Sequence, residues 1–236
     1  MPVTIDSLTA AELYALGGAA GVTYLFGLPE REQLALIDPD CAEKAKDGLI
    51  KKGVLTSDGK MTDAAFQLAE ALKYYQKSKE YARFNNVMCA FLPDDDEHII
   101  AITEIKAETA YTVDFLEKRQ VYLTIISAVS FLLREPREKD QTFSLKRMSL
   151  KERAEVSEMD LTNEEVLAVE TFKRAPEHQP THDGLHEAAF YFTKGEDFVA
   201  VDPLHDRYEW ISLHMLNKRL FDTLKIVYGK RRALND

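Results

Sequence analysis

An α+β fold is predicted: an antiparallel sheet with flanking helices, built from a sheet-then-helix unit that occurs twice. Three observations predict it. Alternating strand-like runs near residues 108–133 lead into an amphipathic helix. The same order returns near 188–227 as strand, turn, strand, turn, aromatic strand and helix. Neither copy carries a catalytic motif, which points to a pseudo-two-fold binding scaffold.

Thr9 with Glu12 forms a capping box that opens a helix to about Ala20, and Gly21 is placed to end it. Val22 to Leu28 is short and apolar, a strand or an extended crossing. Asp38 as N-cap and Pro39 at N1 start a helix with body Asp40 to Lys52, and Gly53 supplies its left-handed end. A tight turn at Ser57-Asp58-Gly59-Lys60 follows. Thr62 then caps a long helix from Asp63 to about Tyr81, with Ala65, Phe66, Ala69, Leu72 and Tyr75 on its apolar face. Helix, turn and helix over 38–82 make a winged-helix-like segment near the N-terminus.

A β-meander comes next. Its strands are Val87 to Leu92, His98 to Lys106 and Thr109 to Leu116, with a turn at Pro93-Asp94-Asp95-Asp96. Tyr111, Val113 and Phe115 share one face of the third strand, Thr112 and Asp114 the other. Val121-Tyr122-Leu123 reads as a short strand. The helix after it buries Ile125, Ile126, Val129, Leu132 and Leu133 and stops at Pro136. Residues 134–187 are polar. Ser149 with Glu152, and Thr162 with Glu165, predict two helices there, the second carrying Val166, Leu167, Val169, Glu170 and Phe172. Pro176, Pro180 and Gly184 make 176–187 a loop.

Ala188 to Thr193 and Phe198 to Asp202 form a hairpin across Lys194-Gly195-Glu196-Asp197. Tyr208 to Ile211 is a third strand. Ser212 caps the closing helix, whose stripe is Leu213, Leu216, Leu220, Leu224 and Val227. Lys230-Arg231-Arg232 form a basic helix end, which favours the helix dipole. The chain divides into an N-terminal half at 1–136, a polar connector at 137–187 and a C-terminal half at 188–236, within one compact domain.

The net charge of −10 argues against a dedicated nucleic-acid binder, because phosphate neutralisation needs clustered Lys and Arg. Cys41 and Cys89 fit no disulfide or zinc framework and read as reduced thiols. The stretch MPVTIDSLTA has neither a basic nor an apolar leader region, so no export signal is expected. No apolar run approaches the roughly 20 residues of a membrane span. A cytoplasmic location is expected.

His178, His182 and His186 are spaced like metal ligands on a helix, but Pro180 and Gly184 oppose that helix, so an exposed loop is expected and no metal. Asp94, Asp95 and Asp96 lack the alternating spacing and glycine of a calcium loop, and read as a solvated turn. No nucleophile elbow, zinc motif or phosphate-cradling loop is present, so neither catalytic residues nor a cofactor is expected. Lys44, Lys46, Lys51, Lys52 and Lys60 give the winged-helix-like segment local positive charge, but Glu43 and Asp47 interleave them and no Arg, Asn or Gln accompanies them.

Three stretches line up with one known pattern: "LTAAELYALGGAAG" with "VTYLFGL"; "CAEKAKDGLIKKGVLTSDGKMTDAAFQLAEAL"; and "FVAVDPLHDRYEWISLHMLNKRLFDTL". On these the chain resembles the EspG family of chaperones associated with type VII (ESX) secretion, as a divergent Gram-positive relative. The glycine that often precedes the family's Arg-Tyr pair is replaced by Asp206, giving Asp206-Arg207-Tyr208. The resemblance implies a quasi-two-fold protein with a central antiparallel sheet, acting as a cytosolic binding protein or chaperone that shields helical secretion substrates. Mycobacterial members bind PE–PPE heterodimers; a Gram-positive relative would meet WXG100-like or LXG-like helical proteins. No family binding residue transfers to this chain. Contact elements chosen from exposure are the turn at 93–97 with Asp94, Asp95 and Asp96, the loop at 176–187 with His178, His182 and His186, and the closing helix. The alternatives are a winged-helix-containing regulator binding DNA through residues 38–62, and an enzyme of unrecognised type.

Overall fold

A computed structural model describes residues 7–174 and 183–227. The chain forms two compact units, Met1–Leu116 with Phe172–Gly184, and Glu117–Thr171 with Leu185–Asp236. The fold is α+β with antiparallel strand pairing.

The first unit holds helices α1 (Ala10–Ala19), α2 (Arg31–Ile37), α3 (Cys41–Lys51) and α4 (Asp63–Lys77). Strands β1 (Glu80–Phe84), β2 (Val87–Phe91), β3 (His98–Lys106) and β4 (Ala110–Glu117) follow as a meander. Met88, Ala90, Ile100 and Ile102 of the sheet meet Leu13 and Leu16 of α1 and Leu72 and Tyr75 of α4 in one buried core. Gly48 is required where α3 crosses α1: a Cβ there would collide with the Glu12 carboxylate. That buried carboxylate is paired with Lys52 at 2.6 Å and completes the Thr9 capping box. The capping box therefore both starts α1 and ties it to the end of α3.

The second unit holds α5 (Lys118–Ala128), β5 (Leu145–Arg147), α6 (Leu150–Ser157) and the larger parts of β6 (Leu167–Arg174) and β7 (Asp183–Lys194). β8 (Asp197–Asp202), β9 (Arg207–Ile211) and α7 (Leu213–Thr223) complete it. Its strand order is β6-β7-β8-β9-β5. Met148 and Val156, at either end of α6, pack on Phe192 and Val199, with Tyr208 and Trp210 half-buried beside them. Buried Leu213, Leu216 and Leu220 line the inner face of α7.

The repeat extends further than the sequence pattern indicates. Each copy runs edge pairing, box-capped helix, four strands, helix; the edge pairing is an isolated bridge at Leu8 in the first and strand β5 in the second. In the first, the Leu8 amide donates to Tyr111 O at 2.8 Å, and Thr9 caps α1. In the second, the Met148 amide donates to Tyr208 O at 2.9 Å, and Ser149 caps α6. The turns before β4 and β9 each contain one left-handed residue, Glu108 at φ 56° and Asp206 at φ 54°. The copies differ between helix and first strand. Residues 158–166 contain no helix, whereas residues 20–79 contain α2, α3 and α4.

Several expected elements are corrected. The long helix does not reach Tyr81: it ends at Lys77, and Tyr81 begins to alternate in β1, its hydroxyl donating to Tyr75 O at 2.8 Å. Ser78 supplies the break, donating from its hydroxyl to Phe91 O at 2.8 Å. Val22 to Leu28 forms no strand: Gln76 Oε1 accepts from the Thr23 and Tyr24 amides at 2.6 and 3.1 Å, and a turn with left-handed Gly27 follows. The N-cap of α3 is Asp40; Asp38 instead accepts from Lys44. Val121 to Leu123 is helical, because Gln120 Oε1 caps the Glu117 amide and begins α5 one turn earlier.

The second expected box, Thr162 with Glu165, does not form. Glu165 accepts from the Ser130 amide and hydroxyl instead, and 167–174 becomes β6 with Leu167 and Val169 buried in alternation. The expected loop at 176–187 is strand β7 from Asp183 onward. The remainder of that loop, with His178 and His182, and the basic end at 230–232 lie outside the described residues. Phe66, Phe115, Leu133 and Val227 are exposed, contrary to their expected burial.

Candidate partner-binding surfaces

The turn at 93–97 is organised around Asp95. Its carboxylate accepts from the His98 and Glu97 amides, each at 2.8 Å, and meets His98 Nδ1 at 2.9 Å. The His98 amide foremost, then that of Glu97, hold the Asp95 carboxyl below its usual range. Asp95 is thus a turn-former, while Asp94 and Asp96 project into solvent. The braced His98 ring stacks on exposed Phe115 at 4.9 Å, forming an aromatic step at the sheet's end that the sequence pattern hid.

His186 is exposed on β7. The structure does not bring it together with the three aspartates of the turn into any metal-binding group; among the described residues no group of three His, Cys, Asp or Glu is placed to hold an ion. The apolar stripe of α7 is buried in its own unit, which leaves that helix its polar face for contacts.

Residues 38–62 form helix, bridge and the start of a second helix, with Leu55 bridged to Met61. Three of the five lysines there are committed to the protein itself. Lys44 pairs with Asp38 at 2.7 Å, Lys52 with Glu12 at 2.6 Å and Lys60 with Asp58 at 2.6 Å. A phosphate contact by any of them would first have to break an ion pair.

The other charged clusters are also closed. Arg134 lies 3.7 Å over the Phe198 ring and shares buried Asp140 with Arg137, at 2.9 and 3.0 Å. Arg219 pairs with Glu209 at 3.0 Å. Burial pushes the Cys89 thiol up to about 12, far from nucleophile range. No helix among the described residues is long and apolar enough to cross a membrane.

Exposed large apolar side chains are the remaining surface feature. In the first unit they are Leu36 and Ile37 of α2, Phe66 and Tyr74 of α4, Ile105 and Phe115. In the second, Leu123, Phe143 and Leu150 stand out. The α2 pair was missed in the sequence because 31–37 was not read as a helix. The detectable signal was Gln33, whose Oε1 accepts from the Glu30 amide at 3.1 Å in a capping arrangement.

The family described as "Domain of unknown function (DUF5081)" matches residues 3–232. The type VII secretion system protein EsaE of Staphylococcus aureus strain USA300 is 29% identical over 140 residues, 59% of this chain and 58% of EsaE. EsaE of strain NCTC 8325 / PS 47 matches equally. The similarity thus spans little more than half the length of these curated relatives. The fold is shared with the Mycobacterium tuberculosis type VII secretion system chaperone EspG5, solved in complex with a PE25–PPE41 dimer. That match has a TM-score of 0.56 at 9% identity and covers 95% of this chain and 97% of EspG5. The chain belongs to the DUF5081 family and has the EspG-like fold of type VII secretion-associated proteins.

Proposed function

We propose that this protein is a chaperone of a type VII secretion system, holding helical substrates of the WXG100-like or LXG-like kind in the cytosol before export. The observation that carries this reading is the fold shared over 95% of this chain with EspG5, a chaperone solved with a PE25–PPE41 dimer. Similarity to EsaE supports the same secretion pathway. The surface chemistry is compatible: exposed aliphatic and aromatic side chains offer apolar contact, and closed ion pairs offer no reaction centre.

The test is co-expression with WXG100-like and LXG-like proteins, followed by size-exclusion chromatography with light scattering. A stoichiometric complex that keeps the substrate soluble is expected. Substrates that elute alone would overturn the reading. Salt-sensitive retention of DNA would move it to the regulator, against which the paired Lys44, Lys52 and Lys60 already weigh.

A further inference from the structure

We infer that α2 is a docking element for the partner, and that it takes an apolar helix face flanked by lysine or arginine. This rests on the chaperone reading and names the surface that reading leaves open.

The two copies of the repeat locate the element. The second copy passes from Ser157 at the end of α6 to Leu167 at the start of β6 without a helix. The first inserts α2, α3 and α4 between Ala19 and Glu80. Within that insertion α4 contributes buried Leu72 and Tyr75, and α3 contributes buried Ala45 and Leu49. Their retention is explained by the core. α2 buries no residue at all. Leu34 alone leans on the core, while Leu36 and Ile37 are 85% and 81% exposed. Single exposed aliphatics are ordinary. Two adjacent ones on a short helix that buries no residue fully are not, because a helix this short has little stability of its own.

Charge specifies the occupant. Between residues 30 and 43 lie five carboxylates, Glu30, Glu32, Asp38, Asp40 and Glu43, and one cation, Arg31. The next cation, Lys44, is taken by Asp38. An apolar pair within a negative rim favours a partner with the opposite pattern and repels an acidic one. A shallow apolar recess beside α2 adds a place for a partner side chain. Ala11, Tyr14 and Ala15 of α1, Arg31 and Leu34 of α2, and Cys41 and Ala42 of α3 wall it, with roughly 330 Å³ of space counting its open mouth.

The probes are two fluorescent helical peptides with the same leucine stripe, one flanked by lysines and one by glutamates. Fluorescence anisotropy with the full chain is expected to favour the lysine peptide by about tenfold. Leu36→Ser with Ile37→Ser should weaken it by about tenfold. Glu32→Lys with Asp40→Lys should reverse the peptide preference, and Leu204→Ser, on an exposed apolar residue elsewhere, should change nothing. The unfolding midpoint of the serine variant should match the parent, since Leu36 and Ile37 are exposed. Equal affinity for both peptides, or unchanged binding by the serine variant, would overturn the inference. So would a loss of fold in that variant. Self-association abolished by the same variant would assign the patch to a second copy and also refute it. A chain that holds secreted substrates equally well with the serine pair in place would refute this surface and spare the chaperone. Charge-selective peptide binding without any secreted substrate would do the reverse.

Discussion

Tyr122 and Asn217 occupy the same position in two different helices, and they touch. Each is the fifth residue of its helix, counted from Lys118 in α5 and from Leu213 in α7. The Tyr122 hydroxyl donates to Asn217 Oδ1 at 2.9 Å, and its ring meets Phe221 edge-on at 4.4 Å. These corresponding positions of the repeat carry side chains of unlike chemistry that bond to each other within the second unit.

Removing that hydroxyl with Tyr122→Phe should cost about 1 kcal/mol, the net worth of an intramolecular hydrogen bond. Asn217→Ala should cost a similar amount. The double variant should show a coupling energy of roughly 0.5 kcal/mol or more. Urea unfolding of the four proteins measures it, and additive effects would deny that the pair interacts.

Asp206 serves as both turn residue and ion-pair partner. It holds φ 54°, a conformation glycine adopts freely and aspartate tolerates, and its carboxylate engages Arg153 of α6. Asp206→Gly should change stability by less than about 1 kcal/mol, since backbone relief offsets loss of an exposed ion pair. Asp206→Val should lose roughly 1–3 kcal/mol, because a β-branched residue is strained there. Denaturant midpoints compare them, and a benign valine would remove the strain argument.

Local chemistry made much of this legible in the sequence. Thr9 with Glu12, Ser149 with Glu152, Thr62 and Ser212 all cap the helices expected of them. The Gly195 hairpin and the left-handed Gly53 also formed as expected. Failure came where a local signal competed with a distant partner. Glu165 resembles the last member of a capping box, yet accepts from Ser130 thirty-five residues earlier. Tyr81 continues a helical spacing, yet belongs to a strand because its partner is Ala90. The α2 surface stayed hidden because its signal, Gln33 capping Glu30, uses a glutamate that few would read as an N-cap.

Glu152 should tie the second unit to pH. The Ser149 hydroxyl and amide, then the Trp210 indole at 3.0 Å, hold its carboxyl down at about 2, against an ordinary 4.5. A depressed folded pKa means its stabilising contribution is complete above about 4.5 and is lost as pH falls towards about 2. Trp210 is the sole tryptophan, so its indole NMR signal should titrate with that low midpoint. A midpoint near 4.5, or an unchanged titration in Glu152→Gln, would contradict the contact.

The two thiols should separate cleanly. Cys41 is half-buried and Cys89 fully buried with its ionisation suppressed. A chromogenic disulfide at mildly alkaline pH should consume one thiol in the native protein and both after unfolding. Rapid native reaction of two would mean that β2 opens readily.

The edge pairings imply an order of assembly. In β1–β4 and in β7–β9, strands pair with neighbours a few residues away in sequence, so their loops close at little entropic cost. Leu8 instead waits for Tyr111, roughly a hundred residues further along the chain, and Met148 waits for Tyr208. These local pairings are therefore expected to form early, and the pairings at Leu8 and Met148 late. Pairing at Leu8 therefore reports on whether β4 is already in place.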